Sequence, residues 1–366
     1  MFRHLTLHVL TRVSYSNLNR DDTGTPKNFI EGGVMRAMHS SQSIKRGIRM
    51  IYENASGDVS LRSGNLAEYV FDRACEIAPD LKETGKKEDD AKKEIRARLS
   101  KLVSGKDSRN NSMWLSAEEI EILAQSIAKS QAKDAGFLES GKTGSLAIAA
   151  FGRMFANAQD KGTEAAISVS PAVTTHAARI ATDYFTAVDD IREFNLYSEA
   201  GKESNKGATH IGVAQFTSGV FYRTISIDRE QLKKSWTAFG KPESRANLEE
   251  LISAILYGQP RGKEHSTAPY TQPSVVLAEE QRYRCAYSFE TPVSVDKVEG
   301  GYLKPSVKEL AEQVRAARRF DPDNFGPNLV LTGTYPDLKG VFGIEPGTKA
   351  DLVDAVVGWI LGDTRE

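Results

Sequence analysis

A chain of 366 residues with 40% hydrophobic and 27% charged side chains has the composition of a globular protein large enough for more than one substructure. Its 48 Lys and Arg are matched by 49 Asp and Glu, a net charge of −1, which excludes bulk attraction to a polyanion and leaves phosphate binding to local clustering. Cys75 and Cys285, the two cysteines, are too few for a disulfide framework or a thiolate metal site, and the sequence has no signal-peptide core and no apolar run of membrane-spanning length, so small core cysteines, a cytoplasmic location and no membrane contact are expected.

Leu5, Leu7 and Val9 alternate with Thr6, His8 and Leu10, which predicts a strand entering a loop at Asn17 to Asp22. Gly24, Pro26, Gly32 and Gly33 make Asp21 to Ser40 a loop or irregular hairpin. A helix follows from Gln42 to Glu53, with Ile44, Ile48 and Ile51 as its apolar stripe. From Gly57 to Ala149 the character is helical. Leu66, Val70, Ala74 and Ile77 have helical spacing, Lys86 to Val103 is a charged run carrying Ile95, Leu99 and Leu102, and Ser116 with Glu119 forms a capping box ahead of Ile120, Leu123 and Ile127. β character returns at Ile167 to Thr175 and Phe216 to Ile227. Arg245 to Tyr257 reads as a helix with Leu248, Ile252 and Ile255 inward, Ser274 to Pro292 as strands, and Val307 to Ala317 and Lys349 to Leu361 as closing helices. Two strand–helix–strand passages around a large helical insertion predict an α+β, ferredoxin-like core.

Within this frame, residues 20 to 49 concentrate cations: Arg20, Lys27, Arg36, Lys45, Arg46 and Arg49 against Asp21, Asp22 and Glu31. Lys45 and Arg49 are an i, i+4 pair, and Ser40, Ser41 and Gln42 stand at the cap of the same helix. Free amides and hydroxyls below a rising column of cations make a phosphate cradle. A solvated basic helix face is the alternative use of these residues. Arg261-Gly262-Lys263 follows a helix and adds Lys263 as a further backbone-contacting candidate.

Leu18-Asn19-Arg20-Asp21-Asp22 and Ser40-Ser41-Gln42-Ser43-Ile44-Lys45-Arg46 closely resemble the N-terminal signature of the CasC family, the Cas-seven type backbone subunits of the type I-E CRISPR Cascade complex. The resemblance continues in the family's order at Gly152-Arg153-Met154, Thr174-Thr175-His176, Phe185-Thr186-Ala187-Val188-Asp189-Asp190 and Phe216 to Arg223. It implies an RRM-like palm made of 1–57, 150–176 and 215–366, a helical fingers subdomain at 58–149, and a β-hairpin thumb at 177–214. It also implies a non-catalytic subunit that forms a helical filament along CRISPR RNA and presents it to a target DNA strand in antiviral defence. The partners it implies are copies of itself and the Cascade subunits CasA, CasB, CasD and CasE. At matching positions, RNA contacts fall to Arg20, Lys27, Ser40, Gln42, Lys45, Arg46 and Arg49, and a wedge beside a displaced base falls to Met154 and Thr186. Gly207 to Gly212 resembles the thumb's return, with Tyr197 to Lys206 longer than the family's pattern. Related backbone subunits of type III complexes cut RNA with an aspartate from this part of the fold, so a metal-dependent ribonuclease using Asp21 or Asp22 is the alternative.

Other motifs point elsewhere or nowhere. Gly136 to Thr143 matches the P-loop pattern, but a P-loop needs a strand before its glycines, and Ile120 to Ala135 reads as helix. Asp21 and Asp22 are adjacent and face opposite ways in extended chain, a poor metal pair; bracing Arg20 or capping a turn suits them better. The six histidines show no HxH or HExxH spacing, and His176 is expected to be a satisfied structural residue. No cofactor or metal is expected.

Overall fold

The computed structural model describes residues 2–83, 85–103, 112–129, 136–187 and 210–362. Val188 to Asp190, the Tyr197 to Lys206 insertion and Gly207 to Thr209 lie outside the described residues.

The alternation in the first strand does not make a polar face. β1 (His4–Ser16) is covered on both sides: Leu5, Leu7 and Val9 enter one apolar cluster, Leu10 the opposite one, and Thr6 and His8 are buried as well. Thr6 donates to Gln281 Oε1 at 2.8 Å, and His8 Nε2 stands 3.2 Å from the Glu279 carboxylate, so both polar groups are compensated. The glycine-rich stretch that follows is a true hairpin, β2 (Asn28–Glu31) and β3 (Val34–His39), leading into α1 (Ser41–Ser56). α1 buries Ile44, Gly47, Ile48 and Tyr52. Ile51 is exposed instead, because the helix turns Tyr52, eight residues after Ile44, toward the sheet.

β4 (Ser60–Ser63), α2 (Leu66–Ile77), α3 (Gly85–Ser100), β5 (Met113–Ser116) and α4 (Ala117–Ala128) come next. They share an apolar cluster of their own, with Leu66, Val70, Ile95, Leu115 and Leu123 at its centre. The capping box forms as its residues dictate: Glu119 N–H donates to Ser116 Oγ at 3.1 Å and Ser116 N–H to Glu119 Oε2 at 2.8 Å. β4 and β5 pair as a separate two-stranded sheet.

α5 (Leu146–Phe151) returns the chain to the main body, followed by β6 (Ile167–Val169), β7 (Ala172–Thr174), β8 (Ile180–Ala187) and β9 (His210–Asp228). β9 is longer than the strand expected from Phe216, since its first half pairs with β8 as a projecting, exposed hairpin. Then come α6 (Arg229–Ser235), α7 (Ser244–Tyr257), β10 (Pro273–Gln281), α8 (Leu303–Phe320), β11 (Phe325–Thr332) and α9 (Lys349–Leu361). The strand expected over Ser274 to Pro292 ends at Gln281, and Cys285 beyond it is half-buried, not a core residue.

The described strands form an antiparallel sheet along the path β11–β10–β1–β9–β7–β3–β2, with β6 and β8 also on β9. Its centre, β10–β1–β9–β7, has the 4-1-3-2 order of a ferredoxin-like βαββαβ unit whose crossing helices are α1 and α7. The helical insertion interrupts the first crossover, and the projecting β8–β9 hairpin sits between the second and third strands. α1, α7 and α9 cover one face through Ile44, Ile48, Leu248, Ile252 and Val356; α8 covers the other through Val307, Leu310 and Val314. Among the described residues, no helix is long and apolar enough to cross a membrane.

Candidate nucleic-acid interface

Three backbone contacts seat α1 among its neighbours. Ser40 N–H donates to Asn19 Oδ1 at 2.7 Å, tying the loop after β1 to the start of the helix. Gly262 N–H donates to Leu18 O at 2.9 Å, bringing the loop after α7 onto the same segment. A Cβ on Gly47 would lie 2.1 Å from Gln259 O, so only glycine lets α1 approach that loop so closely.

This packing leaves two open clefts along the exposed side of α1. The first, of about 590 Å³, is bordered by Asn19, Arg20, Asp22, Arg46 and Arg261. The second, of about 850 Å³, is bordered by Ser40, Gln42, Lys45, Arg46 and Arg49 on one side and by Arg62, Trp114 and Gly152 to Phe155 on the other. Ser43 and Arg46 border both, so the two clefts, together the track, adjoin along α1.

Electrostatics separates the helix cations. Lys45 lies half-buried with Nζ 5.9 Å from the Phe151 ring centroid, and burial lowers its pKa. Neither Lys45 nor the exposed Arg46 has a carboxylate within ion-pairing distance among the described residues. Arg49 is more committed: its guanidinium lies 5.2 Å from the Trp114 ring centroid, and its Nε stands 3.4 Å from Glu53. Burial lowers the Arg49 pKa, Arg46 and Arg62 add repulsion, and Glu53 opposes both. Lys45 and Arg46 are therefore the cations most available to an incoming phosphate, while Arg49 also supports the Trp114 wall.

The structure brings Arg20, Ser40, Gln42, Lys45, Arg46, Arg49 and Met154 onto this track, but not the remaining candidates. Lys27 borders neither cleft; its amide donates to Asn19 O. Lys263 stands outside both, its ammonium 5.7 Å from the Phe216 ring centroid. Thr186 lies on the projecting hairpin opposite Ile211. Ser40 occupies the cap position with no side-chain capping bond. Arg36 is not a surface cation: it is fully buried and donates to Thr174 O, Phe289 O and Glu290 O.

Within Gly152-Arg153-Met154 the three residues do different work. Gly152 has φ +75° and lies against Ala165, where a Cβ would approach within 2.9 Å. Arg153 is buried, paired through both terminal nitrogens with Glu119 of α4, and its Nη1 also donates to Trp114 O at 3.1 Å. Met154 is 83% exposed at the rim of the larger cleft, available as an apolar wedge.

Asp21 accepts from Thr23 N–H, Thr23 O–H and Thr25 N–H at 3.0, 2.7 and 3.0 Å. The Thr23 hydroxyl leads in holding its pKa low, which is the turn-capping role its position suggested. His176 stacks on Tyr302 at 3.7 Å; its Nδ1 meets Ala177 O and its Nε2 accepts from Val220 N–H, the neutral, satisfied state. The P-loop-like segment follows helical α4, and Lys142 within it pairs with Glu139. Arg62 and Trp114 were missed: each sits on a four-residue strand, and their pairing spans some fifty positions, which leaves no local pattern.

A ferredoxin-like palm with one insertion per half is the class this architecture defines. The chain belongs to the CT1975-like protein family, whose model matches residues 5–339. A solved chain described as "CRISPR RNA-guided surveillance complex, pre-nicking" is similar at a TM-score of 0.76 and 25% identity, over 98% of this chain and all of that one. A second, described as "CRISPR RNA-guided surveillance complex", shares the fold at a TM-score of 0.61 and 23% identity, over 97% and 99%. Comparison with curated proteins gives no match.

Proposed function

We propose that this chain is a CRISPR-RNA-binding backbone subunit of a Cascade-type surveillance complex, of the type I-E kind its N-terminal signature resembles, and that it holds RNA without cutting it. The observation that carries this is the convergence of Arg20, Gln42, Lys45, Arg46 and Arg49 on two adjoining clefts along α1. The likeness to a surveillance-complex chain over nearly the full length supports it. Cations on an open track suit phosphate contacts, which fix register without reading sequence; sequence choice then belongs to pairing between guide and target strand. Head-to-tail stacking of copies, a contact that does not close on itself, extends the track into a helical filament. In that filament Met154 and the β8–β9 hairpin with Thr186 stand beside the strand and interrupt its stacking. Asp21, its carboxylate taken up by the turn, favours a structural use over a catalytic one.

The test is equilibrium binding of two unrelated single-stranded RNAs across a salt series. Lys45→Ala with Arg46→Ala is expected to weaken both about equally and to reduce the log–log salt slope by about 1.4, from about 0.7 per lost phosphate contact. Loss confined to one sequence, or an unchanged slope, contradicts the phosphate track.

A further inference from the structure

The wall facing α1 across the larger cleft belongs to the two-stranded β4–β5 sheet. Arg62 and Trp114 are directly opposed in its register, so their side chains leave the same face. The Trp114 indole N–H donates to Ser60 Oγ at 2.7 Å, fixing the ring, and the Arg49 guanidinium lies over it. Arg62 is exposed and has no carboxylate within ion-pairing distance among the described residues. Lys45, Arg46, Arg49 and Arg62 thus gather around one cleft, and among the described residues Arg49 alone of the four has a carboxylate, Glu53, within ion-pairing distance. The same cleft carries apolar surface from Phe151, Met154 and Phe155. Like charges held together beside apolar surface match a ligand that is both polyanionic and aromatic.

We propose that Arg62 and Trp114 are RNA-binding residues, and that the β4–β5 sheet flanks the strand lying on α1. Arg62 takes a phosphate from the side opposite Lys45 and Arg46, and the Trp114 ring lies against the base or ribose of a neighbouring nucleotide. The ligand class is a single-stranded polynucleotide, recognised without regard to sequence. The Arg153–Glu119 pair and the Arg153 bond to Trp114 O hold this wall at the track. The inference rests on the RNA-binding reading above and adds a second, independent contact surface to it.

Trp114 supplies its own reporter, because the other two tryptophans, Trp236 and Trp359, are 2% and 6% exposed in the palm core. Titrating the full chain with an oligouridylate is expected to quench tryptophan fluorescence, and Trp114→Phe, which keeps an aromatic ring in place, is expected to abolish the quench while RNA still binds. Arg62→Ala, an exposed position, is expected to weaken binding about three- to tenfold and to lower the salt slope by about 0.7, with Arg62→Lys restoring the slope. Wild-type affinity and slope in Arg62→Ala, or an undiminished quench in Trp114→Phe, overturns the proposal. If Lys45→Ala with Arg46→Ala weakens binding and Arg62→Ala does not, the β4–β5 contact alone falls. If the wild-type chain binds no RNA, the functional reading falls with it.

Discussion

At the scale of single residues, burial decides what each charged group is free to do. Arg36, counted in the sequence among the clustered cations, is buried, as is Arg223, and both spend donors on backbone carbonyls. Arg223 binds the carbonyls of Ile255, Leu256 and Gly258 at the end of α7, and burial pushes its pKa down to about 10. Beside it, His39 stacks on Phe221 at 4.4 Å; burial first and Arg223 second push its pKa down to about 3. In the unfolded chain the imidazole titrates near ~6.5, so below that value the unfolded state binds the proton that the folded state refuses. The His39 contribution is therefore complete above ~6.5 and is lost as pH falls toward 3, at up to about 1.4 kcal/mol per pH unit. His176, its pKa lowered mainly by burial, works in the same sense. Urea midpoints are expected to drop between pH 7 and pH 5, and His39→Phe is expected to flatten that dependence. An identical slope in the variant contradicts the assignment.

At the scale of elements, local periodicity was legible where a helix packs one face, and failed where packing is two-sided or long-range. The α3, α4, α7 and α9 faces follow their apolar spacing, and the Ser116–Glu119 capping box forms as written. β1 defeats a period-two reading because helices cover both faces of the sheet, so Thr6 and His8 are buried like Leu5 and Leu7. The β4–β5 sheet and β11 carried no signal, since their pairings come from distant chain. The proposed RNA track follows the same division. Its α1 half was visible as an i, i+4 column of cations, whereas its opposite half depends on how the helical insertion docks. That docking runs through Arg153 and Glu119, an ion pair buried at both ends. Arg153→Ala leaves Glu119 buried without its counter-charge, held only by the Ser116 amide among the described residues, at a cost of about 3–5 kcal/mol. Thermal unfolding is expected to show the variant well below wild type, and limited proteolysis is expected to cut first within 58–149. An unchanged melting curve contradicts the role given to this pair.

At the scale of the whole molecule, a chain with a net charge of −1 binds a polyanion only by sorting its charges in space. The sheet and its covering helices neutralise or bury cations such as Arg36 and Arg318, while α1 and the facing β4–β5 sheet leave Lys45, Arg46 and Arg62 unpaired, among the described residues, along the clefts. The proposed filament needs such clefts to line up from copy to copy, so that one strand runs past several subunits. The measurement that tests this most directly is nuclease mapping of RNA that co-purifies with the chain when it is expressed with a CRISPR array and the remaining complex subunits. The account predicts intact RNA protected across the whole spacer, with sensitivity recurring at a regular interval and no cuts dependent on magnesium. RNA that is unprotected contradicts the guide-binding track, and regularly spaced, magnesium-dependent cuts abolished by Asp22→Ala contradict a subunit that holds RNA without cutting it.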